Sequence, residues 1–464
     1  MSVEGRHLRR VLSRWDLIVY GVILLQPTAP LSVYGVISGR AHGHVVTTIL
    51  LALVGMLFTA MSYGRMAQAY PSAGSAFTYV SRELNPVLGY ATGWGMLIDY
   101  MVNPLIVIVW CSKAAMSFVP QIPYPVWALV FFALFTTLNL LGIKSSARIS
   151  GVLTAALSAV VLVFVITATR YVLHHDHSAP GFFSHPFFDP STFKLSAVLG
   201  GTSIAVLTYI GFDGISTLSE EVENPRRNIL FATVAACLLI SVLSAIEVYL
   251  GQLVWPASQP FRDADTAFVD VAARTAGAWF FVVMNLTLLV ANFGTGLGAQ
   301  LGAARLLYGM GRSKALPASF FAAVDARHGI PRNNVILVGV AALLGAFFIS
   351  YGLGAQILNF GALLAYMAVN LAALVRYYLR ATVRRARDLW PPLVGFLTCL
   401  LLWLSLSRAA KTVGVIWLAI GMAYGAWRTR GFRSGALEFE CADDPPLEEA
   451  SPAPGAAVMH AMRR

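Results

Sequence analysis

Twelve apolar runs long enough to cross a bilayer dominate this chain, near residues 16–38, 45–68, 87–118, 124–143, 150–173, 196–219, 229–254, 276–308, 334–350, 355–379, 391–407 and 412–428. A helix crosses the hydrocarbon core with about 20 apolar residues and satisfies its own backbone while doing so. So many runs in 464 residues exclude a soluble domain. The composition agrees: 12% of residues are charged, against roughly 25% in ordinary soluble proteins. The expected fold is an all-α integral membrane protein with twelve transmembrane helices, numbered here as spans 1 to 12.

A net charge of +11 would suit nucleic acid if the basic residues formed one patch. Instead they fall in short gaps between runs, around Arg9/Arg10, Arg65/Arg82, Lys144/Arg148, Arg226/Arg227, Arg305 to Arg332, Arg376 to Arg387 and Arg428 to Arg433. These gaps lie on one side of the membrane, and the positive-inside rule makes that side cytoplasmic, with both termini. The opposite loops, such as VPQIPYP and SYGLGAQ, are nearly bare of charge. The expected location is the plasma (inner) membrane, with the lipid bilayer as partner and no nucleic acid.

The start, RHLRRVLSRW, has the basic flank of a signal peptide. A run of spanning length follows without a small-residue cleavage site, so span 1 is expected to be retained. Cys111, Cys237 and Cys399 lie inside apolar runs and Cys441 in the tail, with no CxxC spacing. No metal and no cofactor is expected. His174, His175 and His177 read as a solvated turn. The acidic, proline-rich segment 431–464 is expected to be a disordered cytoplasmic tail.

Two spans contain their own breaks. Span 1 carries Gln26-Pro27-Thr28-Ala29-Pro30, where each proline removes an amide donor and clashes with the preceding turn. Span 6 carries Gly211-Phe212-Asp213-Gly214, two glycines that loosen the helix at matching depth. These are the first members of two groups of five. Because five is odd, the groups run in opposite senses, and paired interrupted helices at matching positions point to an inverted-repeat carrier with a midplane site. The expected divisions are a cytoplasmic segment 1–14, a core of ten helices over 15–380 (repeats about 15–175 and 195–380), and helices 11 and 12 over 390–430.

Intramembrane acids usually face a polar cavity or a partner, which makes Asp213 a candidate site residue. An α-helix resuming after Gly214 would put Asp213, Thr217 and Glu220 or Glu221 on one face descending toward the cytoplasm. Those glutamates also stand near Arg226 and Arg227, so an ion-pair cluster at the helix end is the competing reading. Asp99 and Tyr100, in GWGMLIDYMVNP of span 3, are a second acid with an aromatic neighbour suited to a cation; a helix–helix contact is the alternative. Lys113, nearer the end of span 3, snorkels or balances an acid. The small residues of NFGTGLGAQLGAAR in span 8 read as close helix packing. No serine elbow, HExxH motif or paired catalytic carboxylate is present, and no enzyme is expected.

The strings SYGRMAQAYPSAGSAFTYV, NPVLGYATGWGMLIDY, IGFDGISTLSEEVENPRRNI, ARLLYGMGR and NFGALLAYMAVNL resemble the amino acid–polyamine–organocation superfamily, and within it the bacterial putrescine importer group. The resemblance implies the leucine-transporter-like fold, a five-plus-five inverted repeat with discontinuous helices 1 and 6. It also implies import of an organic amine such as putrescine in symport with protons. An amino acid permease on the same scaffold is the alternative, and a non-transporting amine sensor a further one. Carried over by position, the substrate would meet Thr28, Ala29 and Ser32 of span 1, Gly211, Phe212, Asp213 and Gly214 of span 6, and Asp99 and Tyr100 of span 3. Thr217, Glu220 and Glu221 would serve coupling or the cytoplasmic gate. Two features depart from the family pattern: Pro27 and Pro30 delete amide donors that would hold a carboxylate, and Ser32 stands where putrescine-type relatives place an acid. Span 5 contains no lysine, so coupling would rest on carboxylates.

Overall fold

The computed structural model describes residues 13–70, 75–142, 147–175, 178, 180–218, 222, 225–256, 259–312, 315–325 and 329–432. Its elements are helices, with no β-strand element among the described residues. In chain order they are α1 (Arg14–Leu25), α2 (Ala29–Arg40), α3 (Val45–Ala69), α4 (Ser75–Glu83), α5 (Pro86–Phe118), α6 (Tyr124–Leu140), α7 (Ala147–His174), α8 (Leu195–Ala205), α9 (Pro225–Val254), α10 (Ala267–Ala276), α11 (Ala278–Arg312), α12 (Ala318–Phe321), α13 (Arg332–Phe348), α14 (Tyr351–Leu374), α15 (Ala386–Leu404) and α16 (Arg408–Arg428). Two 3₁₀ segments, Val206–Tyr209 and Phe212–Leu218, follow α8.

Nine described helices are long and apolar enough to cross a membrane, and the pair α1 and α2, bent by 43°, makes a tenth. Two shorter apolar helices, α6 and α13, accompany them. The chain is therefore a multi-pass membrane protein. Helix starts follow ordinary capping rules even here. Ser13 and Asp16 form a capping box at α1, the Asn85 side chain accepts from the Val87 amide with Pro86 at the first helical position, and Ser350 and Ser407 cap α14 and α16. Each cap satisfies an amide that has no intrahelical partner.

Depth in the bundle sorts the helices. In α5 and α14 78% of the apolar window is interior, whereas in α7, α15 and α16 only 22% is. The outer helices present large apolar side chains such as Val152, Leu162, Leu401 and Ile416 to the surroundings, as lipid-facing surfaces do. Close approach of α5 and α14 requires glycine: a β-carbon on Gly361 would lie 2.2 Å from the Gly95 carbonyl oxygen. At the periphery, Trp94 and Trp417 donate to each other's carbonyl oxygens at 2.9 Å, fastening α16 to α5.

Three helices were not foreseen: α4, α10 and α12, all too short to span. No α-helix resumes directly after Gly214, so the condition for placing Asp213, Thr217 and Glu220 or Glu221 on one α-helical face is not met. The chain continues as a 3₁₀ segment, with three residues per turn, and the Ser216 hydroxyl donates to the Asp213 carbonyl oxygen. The side chain of Thr217, with Glu220 and Glu221, lies outside the described residues. So do the first twelve residues and the tail from residue 433.

Candidate functional site

The break in span 1 is sharp. Helix α1 stops at Gln26, whose φ is +55°, and Pro27 then withholds an amide. Pro30 falls at the start of α2, where its missing donor is tolerated. Helix α11 bridges the two halves: Gln26 Nε2 donates to Thr295 Oγ1 at 2.9 Å, and Asn292 Nδ2 donates to Ser32 Oγ at 3.0 Å. The last carbonyls of α1 are left facing the break, with the negative end of the helix dipole.

The break in span 6 lies against it. After the first 3₁₀ turn, Gly211 adopts φ +118°, and a β-carbon there would come 3.2 Å from the Leu24 carbonyl oxygen at the end of α1. One on Gly214 would stand 2.8 Å from Leu24 Cδ1. The carbonyls at the end of α8 are satisfied from α14, where Asn359 Nδ2 donates to Ser203 O at 2.7 Å and Ile204 O at 3.3 Å. Unwound backbone is thus held by protein, as membrane depth requires.

Asp213 stands in this junction. Its carboxyl is faced by the amides of Gly211, Asp213 and Gly214 and by the Tyr366 hydroxyl of α14. Asp99 of α5 is close enough to interact with it electrostatically. Both acids are partly rather than fully buried among their neighbours. Neither forms an ion pair among the described residues. Were both ionised, two carboxylates in low dielectric would repel each other, and a cation between them would relieve that repulsion.

Aromatic groups close the wall. Tyr63 of α3 and Tyr366 lie 5.8 Å apart between ring centroids, and Phe212 packs on both, at 5.5 and 5.1 Å. Phe212 is fully buried, so it braces the wall. The Tyr63 hydroxyl is buried without a hydrogen-bond partner among the described residues and interacts electrostatically with Asp213. Tyr100 is 37% exposed, and its ring passes 3.5 Å from where a β-carbon on Gly302 of α11 would be.

The other expected residues divide. Thr28 is buried as the residue before α2 and makes no side-chain cap; Ala29 is partly accessible, and Ser32 is held by Asn292. Asp99, Asp213, Gly211 and Gly214 are drawn together. Lys113 balances acids, as one of its two expected roles had it, reaching Asp263 Oδ2 at 3.0 Å and Asp265 Oδ2 at 2.6 Å. In span 8, Gly296 packs closely against Val107 and Phe135, whereas Gly294 and Gly298 meet nothing within 4 Å. Sequence reasoning missed Tyr63, Tyr366, Gln26, Asn292 and Thr295. Polar residues in the middle of apolar runs were the available signal.

Ion clusters mark both ends of the bundle. At the end opposite Lys113, Arg65 pairs with Asp388 at 2.6 Å. There Glu83, almost fully buried, accepts from Tyr70 at 2.6 Å and from Arg376 and Arg380, tying α4 to the end of α14. Burial, with Glu83 beside it, pushes the Tyr70 hydroxyl up to about 12, so it remains a donor at physiological pH. Burial also raises the Asp265 carboxyl above its ordinary value, with Lys113 opposing.

The sequence profile described as "Amino acid permease" matches residues 28–438. The low-affinity putrescine importer PlaP of Escherichia coli (strain K12) is 33% identical over 439 residues, covering 93% of this chain and 96% of that protein. Branched-chain amino acid permease BcaP of Lactococcus lactis subsp. cremoris (strain MG1363) is 29% identical over 462 residues, 92% of this chain and 96% of its own. The methylthioribose transporter of Bacillus subtilis (strain 168) is 26% identical over 442 residues, 90% and 93% of the two chains. With a profile match over most of its length on a bundle of membrane-spanning helices, the chain belongs to the amino acid permease family of the amino acid–polyamine–organocation superfamily, a family of transporters and not of enzymes.

Proposed function

We propose that the protein imports an organic amine, putrescine or a related polyamine, across the plasma membrane by proton symport. The observation that carries this reading is the pair Asp99 and Asp213, two acids deep in the bundle that interact with each other and have no cation partner among the described residues. An ammonium at about 4 Å from one carboxylate gains roughly 4 kcal/mol at an effective dielectric of 20. That preference over a neutral isostere is supplemented by the faces of Tyr63 and Tyr366. The likeness to PlaP supports the choice of amine.

In this reading helices α6 and α13 complete twelve spans, and the two breaks occupy matching places in inverted repeats over about 15–175 and 195–380. The end bearing Arg65, Arg376 and Arg380 is cytoplasmic by the positive-inside rule, as are both termini, and Thr217, Glu220 and Glu221 lie toward the cytoplasmic gate. Binding between the breaks is followed by rocking of one repeat against the other.

An amino acid permease is the second reading, favoured by the likeness to BcaP. Against it, Pro27 and Pro30 leave few amides at the span 1 break to hold a carboxylate. Proteoliposome uptake of labelled putrescine, arginine and leucine, with and without a pH gradient, separates the two. Putrescine accumulation that collapses with the gradient supports the proposal; leucine uptake without putrescine uptake overturns it.

A further inference from the structure

A third membrane acid lies apart from Asp99 and Asp213. Glu247 sits on α9, seven residues before its end at Val254. It is fully buried, and neither carboxyl oxygen has a hydrogen-bond partner among the described residues. The titratable groups on the elements packed against it include Cys237 and Tyr249 of its own helix, Asp16 of α1, Tyr34 and Arg40 of α2, Tyr63 of α3, Arg170 and Tyr171 of α7, Asp270 and Arg274 of α10, and Asp213 within the 3₁₀ segment, and among the described residues none bonds to its carboxyl. A purely structural acid would be paired or bonded. An ionised carboxylate here would be an uncompensated buried charge, so this packing accommodates the neutral acid.

Its surroundings lead two ways. One turn back on the same face of α9 lies Ser244, fully buried and also without a partner. Ten residues back, about 15 Å along the helix, is Cys237, which interacts electrostatically with Asp213. In the other direction a cavity of about 790 Å³ opens at the Lys113 end, with Gly35 of α2 and Gln252 of α9 in its lining. Gln252 is five residues beyond Glu247, about 7.5 Å. Between them the Tyr34 ring packs on α9, with Cε2 3.4 Å from where a β-carbon on Gly251 would stand. The Tyr34 hydroxyl is another buried group without a partner.

We infer that Glu247 is a proton-binding site of the transport cycle, reached from the cavity at the Lys113 end when the contact between Tyr34 and Gly251 opens. The carboxylate oxygen accepts a proton from hydronium, leaving water, and returns it in the reverse step; no other bond changes. The neutral acid then allows α2 and α9 to close over it. Substrate and proton occupy different sites, joined by α9. This inference rests on the proton-coupled reading and says where the coupling ion binds.

The test uses the full chain in liposomes, wild type and Glu247→Gln. The variant is expected to exchange labelled for unlabelled putrescine at a rate near that of wild type. Its accumulation driven by a pH gradient should fall by at least about tenfold, because the coupling free energy is gone while the passage remains. Infrared difference spectra across a pH step should show a carboxylic C=O band in wild type that the variant lacks. Gradient-driven accumulation by Glu247→Gln equal to wild type, or an unchanged carboxylic band, overturns the inference. Loss of exchange along with accumulation also overturns it, since Glu247 would then serve folding or substrate. If wild type itself neither moves putrescine nor responds to the gradient, the functional reading fails, and the infrared band still reports whether Glu247 takes up a proton.

Discussion

Gly211 and Leu24 join the two broken spans: a β-carbon on Gly211 would lie 3.2 Å from the Leu24 carbonyl oxygen, and Gly211 itself holds φ at +118°. The carbonyl end of α1 and the unwound part of span 6 are thus one junction, with Asp213 two residues along. A side chain at Gly211 would carry roughly 1–3 kcal/mol of backbone strain and push on the Leu24 carbonyl. Gly211→Ala is expected to lower uptake by at least about tenfold with the protein still inserted. Gly151→Ala, which meets nothing within 4 Å, is the matched control. Equal uptake by the two variants would show that the junction tolerates displacement.

Ser32 faces the span 1 break and is held by Asn292. If the passenger is a diamine, its second ammonium has no carboxylate there. Ser32→Asp is expected to tighten putrescine binding by about tenfold, which corresponds to 1.4 kcal/mol, and to leave a monoamine of equal length less affected. Competition binding measures both. Equal gains for the two amines, or none, would place the second ammonium elsewhere.

Glu83 is the buried acceptor for Tyr70, Arg376 and Arg380. Replacing it with glutamine leaves the buried Arg376 guanidinium uncompensated. Breaking a buried pair by removing one partner costs about 3–5 kcal/mol. Thermal unfolding in detergent should show a lower midpoint for Glu83→Gln, whereas Arg380→Gln, at a much more exposed position, should change it little.

Asp265 supplies a pH dependence outside the membrane core. Burial raises its carboxyl, so the folded chain holds this proton to higher pH than an unfolded one. Its contribution to stability is therefore fully present below the ordinary aspartate range and is lost as pH rises through the raised folded value. The ion pair with Lys113 moves the other way, forming once the proton leaves. Melting midpoints measured against pH should lose part of their slope in that window in Asp265→Asn. An unaltered slope would mean that Asp265 titrates normally.

Span positions were legible because hydrophobic run length is a one-dimensional property. Ten of the expected runs meet described segments long and apolar enough to span, counting the bent pair α1 and α2 as one, and two others meet the shorter apolar helices α6 and α13. Both breaks were legible because Pro27 and Gly211 act on their own backbone. The form of the second break was not: a 3₁₀ segment over 212–218 depends on contact with α1 and α14, which residue spacing does not carry. Tyr63 and Tyr366 were missed for the same reason. A tyrosine in an apolar run looks like packing until the fold brings it beside Asp213. Glu247, a lone acid in span 7, was missed, and its lack of hydrogen-bond partners among the described residues is a property of the packed bundle.

The proposed import depends on Asp213 holding the cation of the passenger. Equilibrium binding of labelled putrescine to purified wild type and Asp213→Asn, in detergent and without any gradient, tests it apart from coupling and conformational cycling. Loss of an ion pair worth roughly 4 kcal/mol predicts binding weaker by at least about a hundredfold. Putrescine affinity in Asp213→Asn equal to that of wild type would contradict the account.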